Sequence, residues 1–360
     1  MKITIIVGTR PEIIKMSPLI RVFESRDINY FILHTGQHYS YNMDRIFFEQ
    51  LQLPDVKYNL DVGSGSHAKQ TSEMLLKIES VLKKEKPDLI LVEGDTNTVL
   101  SGALAASKSD IKVGHVEAGL RSYDRGMPEE VNRVLTDHCS DLLFAPTVNA
   151  YNTLIGENIS SEKVYITGNT IVDAVKHNLR LMDDDVDVLS ELGLEPQKYF
   201  LLTLHRQENV DDRTKLKNIF LGLEYLREFG LPIVYPVHPR TRKRLNDFGL
   251  ESDVLNFIEP VDYFRFLQLE KHASLVLTDS GGVQEESCIL GVPCVTLREN
   301  TERPETLDAG SNMLAGADPR RILECAGIML GRVNGWDNPF GDGKAGEQIT
   351  NILESDMDGN

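Results

Sequence analysis

Residues Thr278-Asp279-Ser280-Gly281-Gly282-Val283-Gln284-Glu285-Glu286 follow directly on the apolar run Leu275-Val276-Leu277. The run reads as a buried strand, and the two glycines open a helix expected over 283–290. A strand that turns into a glycine-opened helix aims free backbone N–H groups and the positive helix end at one point, where an anion such as phosphate is stabilised. Glu285 and Glu286 in the next turn would repel phosphate. They fit only if at least one of them addresses hydroxyls, such as a ribose diol. Taken alone, the stretch is open to two readings: a glycine-rich turn with a solvated acidic helix start, or a site for a nucleotide carrying a sugar. The rest of the chain decides for the second.

Outward from this stretch, short apolar runs alternate with longer segments of helical period. Strands are expected at Ile3–Val7, Tyr30–His34, Leu89–Glu93, Lys112–Val116, Leu142–Ala145 and 164–167, rich in the Val, Ile and Leu that suit a parallel sheet buried on both faces. The clearest helix between them spans 69–84, with Met74, Leu75, Ile78, Val81 and Leu82 on one side. The acidic run Asp183-Asp184-Asp185-Val186-Asp187 breaks the pattern. Its Asp183 and Asp185 form a D-x-D that lies between a helix and a linker, where a solvated connection is the better reading. The alternation then restarts with strands at 199–204, 232–236, near Leu255–Ile258, at Leu275–Thr278 and at 293–297. Helices at 212–229, Pro239–Phe248 and 263–271 intervene, and a last helix is expected near 346–353. Two successive arrays of this kind imply an α/β chain of two Rossmann-like domains, with a ligand held in the cleft between their strand ends. The expected division is 1–180, 196–340 and a final segment 341–360.

The chain has 360 residues, 41% of them hydrophobic, enough to fill sizeable cores. Lys plus Arg is 38 and Asp plus Glu is 55, a net charge of −17, which argues against nonspecific binding to nucleic acid or anionic membrane. Cys139, Cys288, Cys294 and Cys325 lack metal-ligand spacing and suit a reducing compartment. The N-terminus reads as a strand rather than a signal peptide, and no apolar run approaches transmembrane length. A soluble cytoplasmic protein is expected.

Chemistry-bearing residues recur at the strand ends. Gly8-Thr9-Arg10-Pro11-Glu12-Ile13-Ile14-Lys15 has one glycine where a dinucleotide fingerprint needs three, yet it sets two cations, Arg10 and Lys15, over a helix start. The strand Leu89–Glu93 ends in Gly94-Asp95-Thr96. The strand Lys112–Val116 carries His115 and runs into Glu117-Ala118-Gly119-Leu120-Arg121. In Pro128-Glu129-Glu130-Val131-Asn132-Arg133, Glu129, Asn132 and Arg133 share a helix face. Asp95, Glu117 and Glu129 can thus meet on one wall, where grouped carboxylates have their pKa values pushed apart into an acid and a base. Singly, each is better read as a cap or salt bridge, and it is the three together from one half-sheet that favour chemistry. In the second array His205-Arg206-Gln207-Glu208-Asn209 and His238-Pro239-Arg240 stand at strand ends, and Thr301-Glu302-Arg303-Pro304-Glu305 adds a cation. No dinucleotide fingerprint, metal cluster or nucleophile elbow accompanies them. Without a redox cofactor, a nucleotide-sugar enzyme can break the bond from the anomeric carbon to the diphosphate and transfer the sugar. It can also remove the acidified hydrogen on carbon 2 to give a glycal and re-add on the other face, which needs cations for the leaving group and carboxylates as base and acid.

These motifs, with Gly36-Gln37-His38, resemble in order and interval the non-hydrolysing UDP-N-acetylglucosamine 2-epimerases, from residue 8 to residue 305. The resemblance implies a GT-B fold and reversible conversion of UDP-N-acetylglucosamine to UDP-N-acetylmannosamine through a 2-acetamidoglucal, by a homodimer and with no cofactor. It implies acid–base roles for Asp95, Glu117 and Glu129, and assistance to diphosphate departure by His205. It implies substrate and phosphate contacts at Arg10 and Lys15, and a UDP set of His238, Phe266, Ser280, Gly281, Gly282 and Glu286, with Glu286 on the ribose and Phe266 near uracil. Arg303 matches a sugar-side contact, and the last helix is expected to return to the N-terminal domain. Cell-surface glycan synthesis would use the product. One departure concerns 39–45, Tyr39-Ser40-Tyr41-Asn42-Met43-Asp44-Arg45, where many bacterial members carry a glutamine-containing stretch for an activating second substrate. A glycosyltransferase of the same fold, a hydrolysing epimerase and a catalytically idle sensor are the alternatives. The intact carboxylates and His205 argue against the sensor.

Overall fold

The computed structural model describes residues 1–36, 41–182, 187–332 and 335–358. The Gln37-His38 motif and the Asp183, Asp185 pair therefore lie outside the described residues, as do Tyr39 and Ser40 of the departing stretch. The chain divides into two compact units, one of Met1–Lys176 with Phe340–Asn360 and one of His177–Pro339. No helix among the described residues is long and apolar enough to cross a membrane.

In the first unit the strands β1 (Ile3–Val7), β2 (Tyr30–His34), β3 (Tyr58–Asn59), β4 (Leu89–Glu93), β5 (Lys112–Val116), β6 (Leu142–Ala145) and β7 (Val164–Ile166) form one parallel sheet in the order β3-β2-β1-β4-β5-β6-β7. Strand order reverses between β1 and β4, so the loops after these two strands open apart at their carboxyl ends. β1 is buried along its whole length, and Ile6, Leu33, Val92 and Val113 meet Met74, Ile78, Val99 and Ala103 of the covering helices. In the second unit β8 (Phe200–Thr203), β9 (Ile233–Pro236), β10 (Leu255–Ile258), β11 (Leu275–Thr278), β12 (Cys294–Thr296) and β13 (Asn312–Leu314) form a second parallel sheet, β10-β9-β8-β11-β12-β13, reversing between β8 and β11. Helices bury both of its faces, Leu202 and Leu277 on one side and Leu201 and Val276 on the other. The expected α/β class with two Rossmann-like arrays is what the two sheets form.

Several element bounds correct the expectations. β3 and β13 were not expected, β7 ends at Ile166, and the flanking residues at 199, 204, 232, 293 and 297 lie outside their strands. The helix after β11 begins on the glycine itself, Gly281–Leu290. The segment expected as one helix at 212–229 is an α-helix, Arg213–Tyr225, tightened into a 3-10 turn, Leu226–Phe229, before Gly230 in the left-handed region. The last helix is Ala345–Asp358. Its first N–H groups, Ala345 and Gly346, donate to Asp173 at 3.2 and 3.0 Å, and Gly346 lies so close to Pro18 that an added Cβ would stand 3.2 Å from it.

The helix Arg10–Ser25 shows how this sequence builds the site's floor. Pro11 preorganises its first turn. Pro18 inside it cannot donate to Ile14 C=O, and the Ser17 hydroxyl does so instead at 2.8 Å. At its start the buried Glu12 carboxylate accepts from Gly8 N–H at 2.6 Å, Thr9 N–H at 3.3 Å and the Thr96 hydroxyl at 2.6 Å, tying the end of β1 to the end of β4. Burial pushes the Glu12 carboxyl up to about 7, against the opposing pull of those hydrogen bonds. A carboxyl raised on folding contributes stability that is full below its unfolded value near 4.5 and is lost as pH rises through 7. Glu12→Gln should therefore gain on the wild type by roughly 3 kcal/mol between pH 4.5 and 8 in urea unfolding. A difference that does not change with pH would show that Glu12 is ionised in the fold.

Candidate active site

Around the switch point of the first sheet, the ends of β1, β4, β5 and β7 contribute side chains. Gly8 must be glycine, since a Cβ there would stand 2.1 and 2.2 Å from the hydroxyls of Thr35 and Thr98. From the second turn of the following helix, buried Lys15 forms an ion pair with Glu117 Oε2 and lies 3.5 Å from Glu93 Oε1 at the end of β4. Asn169, after β7, donates to the same Glu117 oxygen at 3.2 Å. Glu117 holds φ +68, in the left-handed region that few non-glycine residues adopt. Asp95, half-buried, accepts from Arg133 at 2.5 Å, and its backbone carbonyl accepts from Asn132 at 2.9 Å. The helix Pro128–Cys139 thus orients Asp95 through two of the three residues expected on its inner face. Glu129, one turn earlier, is half-buried, and its neighbour Glu130 takes N–H groups of Ser122 and Tyr123 at 2.9 and 2.8 Å. Arg10 is exposed, with its guanidinium 5.7 Å from the centre of the Phe47 ring.

Behind these groups His115 lies between Asp137 Oδ1 at 2.6 Å and the Gly94 carbonyl at 2.9 Å. Burial opposes ionisation of Asp137, but His115 and Arg121 outweigh it and hold the carboxyl below its usual range. Gly119 N–H and Arg121 also reach Asp137, at 3.2 and 2.7 Å, so the turn after β5 that carries Glu117 is pinned from beneath.

In the second unit the loops after the adjacent strands β8 and β11 are joined by Asp279. This fully buried carboxylate accepts the N–H groups of His205 at 3.1 Å and Arg206 at 2.8 Å and the Asn209 amide at 3.2 Å, and lies 2.9 Å from His205 Nδ1. Burial works against its charge, and His205 with the two backbone N–H groups more than compensates, leaving it below the ordinary carboxylate range. His205 itself is half-exposed, so Asp279 fixes the near side of the ring and leaves the other side open. Ser280 stands at the N-cap position of the helix Gly281–Leu290 without a capping bond from its hydroxyl, and its own N–H donates to Thr278 Oγ1 at 2.9 Å. A Cβ on Gly281 would stand 2.8 Å from Glu302 Oε1, whereas one on Gly282 would meet nothing nearer than 4.0 Å. The first glycine is thus required by packing, and the second leaves open space over the helix end. Glu286, buried in the next turn, accepts from the Tyr263 hydroxyl at 2.8 Å.

Phe266 is half-buried against the apolar cluster of Val188, Leu269 and Val283. His238 is exposed and caps the helix Pro239–Phe248, its Nδ1 accepting Arg240 N–H at 3.2 Å, so the ring proton sits on Nε2. Arg303 is buried and bonds Glu285 at 2.7 Å, within a network in which Arg298 reaches Glu302 at 2.9 Å and Glu208 at 3.2 Å. Asp279, Asn169, Asp137 and Glu93 were assigned no role from sequence. Only the strand-end position of Asp279, Asn169 and Glu93 could have drawn attention to them.

Two parallel sheets, each ending at its switch point in anion-ready backbone or clustered ionisable groups, define the two-Rossmann GT-B class of nucleotide-sugar enzymes. The family model for UDP-N-acetylglucosamine 2-epimerase matches residues 21–354. UDP-N-acetylglucosamine 2-epimerases of Methanocaldococcus jannaschii and Methanococcus maripaludis are 55% and 57% identical, each alignment covering 98% of this chain and 99% and 98% of theirs. The crystal structure of the M. jannaschii enzyme in complex with UDP-GlcNAc and UDP superposes with a TM-score of 0.93 at 55% identity, over 99% of this chain and 100% of that one. The chain belongs to the UDP-N-acetylglucosamine 2-epimerase family.

Asp279→Asn should keep the helical circular dichroism spectrum, since its shape is retained. Its epimerase turnover should fall by about 10² or more, because the amide cannot serve the same four donors and His205 loses its anionic support. Undiminished turnover would make Asp279 a purely structural tie.

Proposed function

We propose that the protein interconverts UDP-N-acetylglucosamine and UDP-N-acetylmannosamine by eliminating and re-adding UDP through 2-acetamidoglucal. The observation that carries the reading is the buried Lys15–Glu117 pair beside Asp95, a carboxylate set already equipped with a cation and oriented by neutral and cationic donors. In the forward direction a carboxylate removes the proton on carbon 2. The electrons of that C–H bond form the C1–C2 double bond, and the C1–oxygen pair leaves with UDP. UDP then adds back to C1 while a proton is delivered to the other face of C2, which inverts that centre.

The second unit supplies the leaving-group side of this scheme. The open helix start at Ser280, Gly281 and Gly282 suits a diphosphate. His205, held by Asp279, can stabilise the departing charge. Buried Glu286, already accepting from Tyr263, has the acceptor character a ribose hydroxyl needs. Arg10, Lys15, His238, Phe266 and Arg303 keep the contacts that family likeness suggests, Arg303 on the sugar side. The M. jannaschii relative, crystallised with UDP-GlcNAc and UDP, supports the choice of sugar nucleotide. Family likeness is likewise the support for a homodimer and for a product used in cell-surface glycan synthesis.

Proton NMR in deuterium oxide tests the scheme, with no NAD or divalent metal added. UDP-N-acetylmannosamine should appear with deuterium at carbon 2. Free N-acetylmannosamine would indicate the hydrolysing reaction instead, and silence until NAD is supplied would sink the elimination route. Asp95→Asn, Glu117→Gln and Glu129→Gln should each lower turnover by about 10²–10⁴-fold while UDP affinity changes far less. Glu286→Ala should do the reverse, weakening UDP binding in calorimetry. Near-normal turnover in all three carboxylate variants would overturn their assignment.

A further inference from the structure

Glu93 takes no part in the steps above, yet its carboxyl is buried beside Lys15 in the first half-site. It closes β4 directly before Gly94 and Asp95, its side chain is 3% exposed, and its Oε1 has no hydrogen-bond partner. The charge it faces is Lys15 Nζ at 3.5 Å, the same ammonium that is in direct contact with Glu117. The other groups around it come from each packed element. The helix Arg10–Ser25 adds Glu12 beside Lys15, the turn after β5 adds Glu117, and the loop after β4 adds Asp95, itself paired with Arg133 of the helix Pro128–Cys139. His115 of β5 reaches only the Gly94 carbonyl and Asp137 from this side.

One buried ammonium cannot balance two buried carboxylates, so one of the pair holds a proton. Geometry selects which. Glu117 has both the ammonium and the Asn169 amide on its oxygen, whereas Glu93 has an oxygen without a donor. Resting on the reading of Glu117 as an acid–base group, we propose that Glu93 is a positioning residue for the epimerisation, sharing Lys15 with Glu117 and, while it holds a proton, leaving the ammonium on Glu117. Burial first, then the charges of Glu117, Glu12 and Asp95, hold the Glu93 carboxyl well above the ordinary range, with Lys15 opposing. Once Glu93 ionises, it competes for the ammonium and draws it away from Glu117. Turnover then falls, so Glu93 sets an alkaline limit on the reaction without touching the sugar.

The test compares pH profiles of kcat for the full-length wild type, Glu93→Gln, Glu93→Ala, Glu12→Gln and Glu117→Gln. Infrared spectra of carboxyl-labelled wild-type protein are read alongside for the carbonyl stretch of a protonated glutamate. Glu93→Gln keeps a neutral partner at every pH, so its alkaline limb should vanish or move upward, with KM little changed. Glu93→Ala removes the partner and should lower kcat across the whole range. The part of the wild-type protonated-carboxyl signal that is missing from Glu93→Gln should fade with the limb, apart from the share that Glu12→Gln removes. A limb unmoved in Glu93→Gln, a limb that moves with Glu12→Gln instead, or a Glu93 share of the carboxyl signal that titrates apart from the limb overturns the proposal. Full turnover in Glu117→Gln removes the reading of Glu117 and this proposal together, whereas loss of turnover there with an unmoved limb in Glu93→Gln overturns this proposal alone.

Discussion

A charge withdrawn from water must meet an opposite charge or several donors, and each of the two sheets ends on a group governed by that requirement. In the first unit it is the Lys15 ammonium, whose partners Glu93 and Glu117 come from the ends of β4 and β5 while it rides on the helix after β1. In the second it is the Asp279 carboxylate, which gathers the N–H groups of the loop after β8 while itself following β11. Both ties span neighbouring strands on either side of a strand-order reversal, where the connecting loops diverge and backbone pairing alone would not hold them. The parallel sheet supplies the place, since its helices start there with unpaired N–H groups. The buried charge supplies the rigidity. Removing either tie would free loops from two strands at once and leave the remaining partners buried without compensation.

The same constraint explains how a chain of net charge −17 keeps cations at its strand ends. Arg298, Arg303 and Arg206 are not a basic patch. They are interleaved with Glu208, Glu285 and Glu302, and two of the three guanidinium groups are almost wholly buried. Their use is geometric. Planar guanidinium groups with fixed donors lock the turn after β12 against the helix Gly281–Leu290, and the carboxylate of Glu302 in turn fills the space that a side chain on Gly281 would need. Overall acidity and local cation placement are therefore independent properties of this chain.

Much of the architecture was legible because parallel strands buried on both faces are mostly apolar, and β1, β4, β8 and β11 are apolar but for Thr4, Glu93, Thr203 and Thr278. β3 and β13 were not legible for the same reason in reverse. β3 is two residues long and half-exposed, and β13 carries Asn312, which is buried to bond Gln284, Thr296 and Thr306. Neither offers an apolar run. At the sites, position was readable and partnership was not. That Asp95, Glu117, His205 and Ser280 stand at strand ends follows from the pattern. That Asp279 serves His205, or that Asn169 reaches Glu117 from 52 positions along the chain, depends on strand order, which no local pattern encodes. Arg303 is a further case, since its bond to Glu285 joins the turn after β12 to the helix Gly281–Leu290, a partnership no local pattern shows.

The backbone at Glu117 draws these arguments together. A side chain at φ +68 costs roughly 1–2 kcal/mol relative to ordinary geometry, and glycine there would remove the cost. Gly119, two residues on, shows that glycine is used where nothing else fits, because a Cβ at that position would stand 2.3 Å from the Ala150 carbonyl. At 117 the strain is instead held by what surrounds it. The Ala118 N–H is bound to Phe144 O at 3.1 Å, the Gly119 N–H to Asp137, and the carboxylate itself to Lys15 and Asn169. These bonds over-determine the turn, so the carboxylate is presented at a fixed angle rather than sampled from several rotamers. A fold that tolerates this cost at a strand end, one strand from its switch point, gains a preoriented carboxylate that a relaxed turn could not offer.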